Sequence, residues 1–164
     1  MARAEIERTV QQSVLDRLLD DDDGAFGSTI SWLESVERLK RAVRRDLESL
    51  LNTRRLAEPA PERYEEVRRS MYHYGVPDIT SLSRDAPDTY TRLQRYVQEA
   101  IQLFEPRLAN VRVALVQGEG EERRELHFRI EALLRMDPTP EQVAFDTLIE
   151  IASGEVEVRS GSNA

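Results

Sequence analysis

Residues 100–117 read AIQLFEPRLANVRVALVQ, and inside them the hydrophobic period changes. Upstream, Tyr90, Leu93, Val97, Ile101 and Phe104 recur at steps of three and four, which predicts an amphipathic helix over roughly 88–104. Gln94, Arg95, Gln98, Glu99 and Gln102 mostly face away from that stripe. Downstream, Val111, Val113 and Leu115 alternate with Arg112 and Ala114, the two-residue period of a strand. Glu105, Pro106 and Arg107 stand at the join. A continued helix would set Glu105, four residues after Ile101, on the apolar stripe. Pro106 disfavours helical geometry at Glu105 and has no N–H to donate, so the chain leaves the helix here and Arg107 sits at the mouth of the strand.

The alternation then repeats. Leu126, Phe128, Ile130, Ala132 and Leu134 alternate with His127, Arg129 and Glu131; Val143, Phe145, Thr147, Ile149 and Ile151 alternate with Asp146 and Glu150. The connections GEGEE and MDPTPE are too short for parallel crossovers, so the strands pair antiparallel. Ser153-Gly154 is a turn, after which EVEV predicts a short charged fourth strand. The expected fold is α+β: N-terminal helices packed on a small antiparallel β-meander of three to four strands.

Upstream of the helix at 88–104, Ile6, Val10, Val14 and Leu18 are spaced by four, a first amphipathic helix that ends at the run Asp20–Gly24. That run fails the calcium-loop pattern, because Leu19 and Ile30 would fall at ligand positions, and it reads as a solvated acidic loop. Ser31 and Glu34 have capping-box spacing, with Ser35 a rival cap. Val36, Leu39, Val43, Leu47, Leu50 and Leu51 follow at helical steps. Glu34 with Arg38, Glu37 with Arg41, and Arg44 with Glu48 are expected ion pairs along this helix. AEPAPE at 57–62 is a proline-stiffened linker, and a short helix follows with Tyr64, Val67 and Met71 on one side. Gly75 suits the left-handed residue that closes a helix. Asp85 or Asp88 caps the helix at 88–104, with Pro87 helping to start it. These boundaries give an N-terminal helix and acidic loop at 1–30, an α+β domain at 31–158, and a disordered tail at 159–164.

Composition narrows the function. Of 164 residues 40% are apolar and 33% charged, ordinary for one globular domain. The net charge of −8, from 23 basic and 31 acidic side chains, opposes a nucleic-acid partner. With no cysteine and only His73 and His127, thiolate and histidine-rich metal sites are excluded, and no cofactor is expected. No apolar run is long enough for membrane insertion. The N-terminus lacks the apolar core of a secretory signal, which predicts work in the cytoplasm.

Three readings fit Glu105-Pro106-Arg107. The plain one is an intrachain salt bridge that closes the end of the core. The second is a recognition corner: a proline-fixed arginine fork and carboxylate completed by groups of another chain. The third makes Glu105 a general acid. Candidate acid pairs mean little among 31 acids, and a general acid must stay protonated, which a neighbouring arginine opposes.

Four stretches, in register along most of the chain, carry a resemblance: SVLDRLL at 13–19, LLNTR at 50–54, YGVPD at 74–78 and FEPRL at 104–108. Together they resemble TssE, the baseplate subunit family of bacterial type VI secretion systems, related to the small wedge protein of contractile phage tails. The resemblance implies a non-enzymatic structural adapter at a membrane-docked baseplate. It implies TssF and TssG as wedge partners, TssK beside them, and Glu105, Pro106 and Arg107 as the motif that binds the wedge core bundle. It also implies a fold similar to the strand-exchanging sheath domain, able to template the first ring of TssB and TssC. Relatives were once labelled lysozyme-like, so a peptidoglycan-cleaving glycoside hydrolase is the alternative reading.

Overall fold

The computed structural model describes residues 14, 18, 31–56, 61, 63–78, 88–116, 125–150 and 153–161. The chain divides into two compact units, 1–43 and 44–164, each taken here by itself.

In the first unit Val14 and Leu18 are helical and exposed. The rest of the expected helix at 5–19 and the acidic loop at 20–24 lie outside the described residues. Helix α1, Trp32–Asn52, begins here. The Ser31 Oγ accepts from the Glu34 N–H at 3.3 Å, which makes Ser31 the cap; the Ser35 hydroxyl instead donates to the Trp32 carbonyl at 2.7 Å. Val36, Leu39 and Val43 are buried as their spacing requires. Arg38 pairs with Glu34, but Glu37 is taken by Lys40, one residue closer than the expected Arg41.

In the second unit α1 runs on to Asn52 and buries Leu47, Leu50 and Leu51. Arg44 and Glu48 form no ion pair among the described residues. Helix α2 is only Glu65–Arg68, followed by a single 3-10 turn, Met71–His73. Neither buries a residue, so Tyr64, Val67 and Met71 face solvent instead of a core. Helix α3, Thr89–Phe104, buries Leu93, Val97, Ala100 and Ile101; Asp88 holds its cap position without a side-chain capping bond.

Four strands follow: β1 Leu108–Val116, β2 Glu125–Leu134, β3 Glu141–Glu150 and β4 Val156–Ser160. They form one antiparallel sheet in the order β1-β2-β3-β4, the expected meander. One face is buried. Leu115, Phe128, Thr147 and Val158 align across it in one row, and Val113, Ile130 and Phe145 in the next. Charged residues occupy the other face, where Arg129 approaches Asp146. The fourth strand extends two residues past EVEV, so the expected tail at 159–164 loses Arg159 and Ser160 to the sheet. The register of β1 shifts between Ala109 and Arg112, where Asn110 adopts φ 53°. Such a bulge adds a residue to one strand and turns it.

Two of the quoted stretches meet where α1 ends. The Val76 N–H donates to the Thr53 carbonyl at 2.9 Å and the Arg55 N–H to the Val76 carbonyl at 3.0 Å. Gly75, at φ 100°, passes so close that a Cβ would lie 2.2 Å from the Thr53 carbonyl oxygen. Arg54 forks onto the Asp78 carboxylate and the Ser153 carbonyl. LLNTR and YGVPD are thus a splice tying the end of α1 to the turn before β4.

Candidate functional site

At the join of α3 and β1 the helix closes with the Glu105 N–H donating to the Ile101 carbonyl at 2.9 Å. Glu105 leaves helical geometry at φ −118°, ψ 81°, and its carbonyl accepts from the Leu108 N–H at 3.2 Å across Pro106-Arg107. The proline does what its ring requires: it ends the helix and makes a tight turn. The Arg107 carbonyl accepts from the Arg135 N–H at 2.7 Å, which pins the turn to the strand β2 leaves.

The side chains close on one another. Glu105 Oε1 accepts from the Arg107 backbone N–H at 3.1 Å and from its Nε at 2.7 Å, while Oε2 accepts from Nη2. This is a side-on bidentate pair, the strongest geometry a guanidinium and a carboxylate adopt. Nη2 also donates to Asp46 Oδ2 at 2.6 Å, reaching α1 across 61 residues of sequence. Asp46 Oδ1 in turn accepts from Arg45 at 3.0 and 2.8 Å. Partial burial works to lower the Arg107 pKa, but the hydrogen bonds to Glu105 and then to Asp46 outweigh it and raise the pKa, so the guanidinium is firmly cationic.

Exposure separates the three motif residues. Glu105 is 4% exposed, Pro106 is exposed, and the Arg107 side chain keeps 24% of its surface. A pair offered to another chain is one sequence reading; the carboxylate instead turns inward. Arg107 follows it with Nε and Nη2 but makes no hydrogen bond through Nη1 among the described residues. The corner therefore exposes Pro106 and part of the Arg107 side chain. Leu103, 40% exposed on the last turn of α3, lies near them in sequence.

Every carboxylate oxygen of Glu105 and Asp46 is engaged by a guanidinium. Neither acid is presented to a bond to be cleaved. His127 lies on the exposed face beside Glu125 at 3.8 Å, and His73 stacks obliquely on Tyr72; neither approaches the corner motif in any contact among the described residues.

Asp46 escaped the sequence reading, because nothing local marks an aspartate in the middle of a helix as the third member of a corner. Asn52 also went unread as a side chain. Its amide donates to the Val156 carbonyl at 2.8 Å and accepts from the Val156 N–H at 2.9 Å, doing for the edge of β4 what a neighbouring strand would do. On the opposite edge the Gln94 amide donates to the Val113 carbonyl at 2.6 Å, and Gln98 accepts from the Val113 N–H at 3.4 Å. Both glutamines were expected to face away from the core. They do leave the core stripe, and they reach the strand edge beside it.

Helices followed by a meander, with a charge-locked corner between them, define a small α+β domain of structural type. The chain belongs to the baseplate wedge protein gp25 family, which it matches over residues 37–139. That membership gives it a structural role in a baseplate, where it interacts with other baseplate components. The match takes in Asp46, Asn52 and the whole Glu105-Pro106-Arg107 corner, and it ends before β3. No curated protein matches the chain. No helix among the described residues is long and apolar enough to cross a membrane.

Proposed function

We propose that this chain is the TssE-type adapter of a type VI secretion baseplate, docking on the wedge core of TssF and TssG, with TssK beside them, on the cytoplasmic side of the membrane. One observation carries the reading: the Arg107 guanidinium, held by Glu105 and Asp46 through Nε and Nη2, keeps 24% of its side-chain surface exposed. Two carboxylates behind it fix its direction before a partner arrives, so little side-chain freedom is lost on binding. Glu105 is a positioning residue, Pro106 sets the turn, and Arg107 makes the contact with carbonyl or carboxylate oxygens of the bundle. The role is non-enzymatic.

Sheath initiation would use the edge of β4. The Glu155 carbonyl and the Gly161 N–H both bond to β3, so the backbone N–H and C=O groups of odd-numbered residues of this strand point toward β3 and those of even-numbered ones point to the open edge. Asn52 occupies Val156, which leaves the N–H and C=O groups of Val158 and Ser160 for an extended arm of TssB or TssC.

Reconstitution with purified wedge and sheath subunits tests both parts. Arg107→Ala is expected to fold with reduced stability, lose copurification with TssF and TssG and fail to start sheath polymers. Glu105→Ala and Arg107→Ala each break a largely buried ion pair and cost on the order of 3 kcal/mol of stability, so circular dichroism of each variant accompanies the copurification. In the wild-type assembly the Val158 and Ser160 amides gain hydrogen-exchange protection when sheath subunits are added. Normal assembly by folded Arg107→Ala protein would overturn the corner; unchanged exchange at both amides in assembled sheath would overturn the edge.

A further inference from the structure

We infer that residues 63–72 form a second docking surface, built for an acidic amphipathic helix of a partner chain. This goes beyond the adapter reading and involves neither Arg107 nor the edge of β4. The segment is ordered without burying anything. Ser70 caps its 3-10 turn, accepting from the Tyr72 N–H at 3.3 Å and donating to the Val67 carbonyl at 2.7 Å. Beyond it, Tyr74 packs edge-on against Phe104 with ring centroids 5.2 Å apart, and Val76 is spliced to Thr53. The backbone is thus anchored at one end while its side chains stand in solvent.

Those side chains are the wrong kind for solvent. Met71 is 76% exposed and Tyr64 46%, and Val67 and Tyr72 stand out with them. Tyr64, Val67 and Met71 keep the spacing of a helical stripe even though the helix stops at Arg68. Large apolar side chains gathered on one short segment mark an interaction site better than the same residues scattered singly.

Charge selects the occupant. Arg63 lies over the Tyr64 ring, 4.8 Å from its centroid, and Arg55 lies over Tyr96 at 5.4 Å. Neither they nor Arg68 forms an ion pair among the described residues, in a chain with a net charge of −8. Arg55 and Arg68 both act on His73, which places the two guanidiniums on the flank of the segment. Arg69 is spent on Glu65, and Glu66 forms no ion pair among the described residues. Exposed apolar side chains beside three guanidiniums that form no ion pair among the described residues accept a helix with apolar side chains on one face and carboxylates beside them.

A synthetic peptide of residues 13–24, SVLDRLLDDDDG, serves as the probe because it has both features. Titration into the full-length protein, followed by fluorescence anisotropy, is expected to show saturable binding that weakens with salt. Arg63→Gln with Arg68→Gln should weaken it about tenfold, as should Met71→Ser, while Arg107→Ala leaves it unchanged. All these positions but Arg107 lie on a segment that buries nothing, so the variants keep the fold. Absence of binding overturns the inference. So does equal affinity for a peptide with its aspartates changed to asparagine, or preference for a duplex oligonucleotide or anionic vesicles over the peptide. Loss of binding in Arg107→Ala would assign the peptide to the corner and overturn a separate surface.

Discussion

Thr147 sits 1% exposed on the buried face of β3, between Phe128 and Val158, and its hydroxyl finds no partner among the described residues. A buried hydroxyl without a hydrogen bond costs its desolvation and returns nothing. Thr147→Val keeps the branched shape and removes the orphan. It is expected to stabilise the fold by about 1 kcal/mol, seen as a higher urea midpoint with an unchanged slope; a lower midpoint would mean that the hydroxyl is satisfied. In the sequence Thr147 is just another inward position of an alternating strand. Alternation says which side a residue faces but not whether its polar atom is met there. Glu105 teaches the same lesson in reverse: the proline takes the chain out of the helix as its sequence position requires, yet the carboxylate is buried and Arg107 follows it in.

Elements were legible where a period governs them. The change from 3.6 to 2 after Phe104 marked the end of α3, and three alternating runs marked β1 to β3 in their observed order. The short helix is only four residues long, and Tyr64, Val67 and Met71 have helical spacing that no core answers. What joins elements was not legible, since Asn52, Gln94 and Gln98 act on backbone groups far away in sequence. The splice between α1 and the Gly75 turn shows how demanding such joins are. Gly75→Ala combines a left-handed backbone, which costs an L-residue about 1–2 kcal/mol, with a Cβ placed 2.2 Å from a carbonyl oxygen. The variant should lose more than about 2 kcal/mol in chemical denaturation. A loss under half of that would show that the Thr53–Val76 pairing yields easily.

For the molecule as a whole, His73 offers a pH signature. Burial, then Arg55, then Arg68 hold its pKa below the ordinary 6.5. Above 6.5 the imidazole is neutral in folded and unfolded chains alike and contributes no pH dependence. As pH falls below 6.5 the unfolded chain takes the proton first, and stability declines until the folded protein's own lower value is passed. Thermal melts of the wild type and His73→Gln should therefore converge or cross as the solution is acidified from neutrality; a constant gap between them would refute the assignment. The charge of the chain was legible from composition, but the way it is shared out was not: Arg107 is tied to two acids while Arg55, Arg63 and Arg68 pair with none among the described residues.

The amides of Asn52, Gln94 and Gln98 lead to one last consequence. A small sheet with two bare margins is a template on which stray chains stack into fibres. Each margin here carries a side-chain amide seated on a valine of its outermost strand, so a growing stack would have to evict it before the first rung could form. A subunit that must wait in a crowded cell for its neighbours can thus keep part of one margin bare without seeding amyloid.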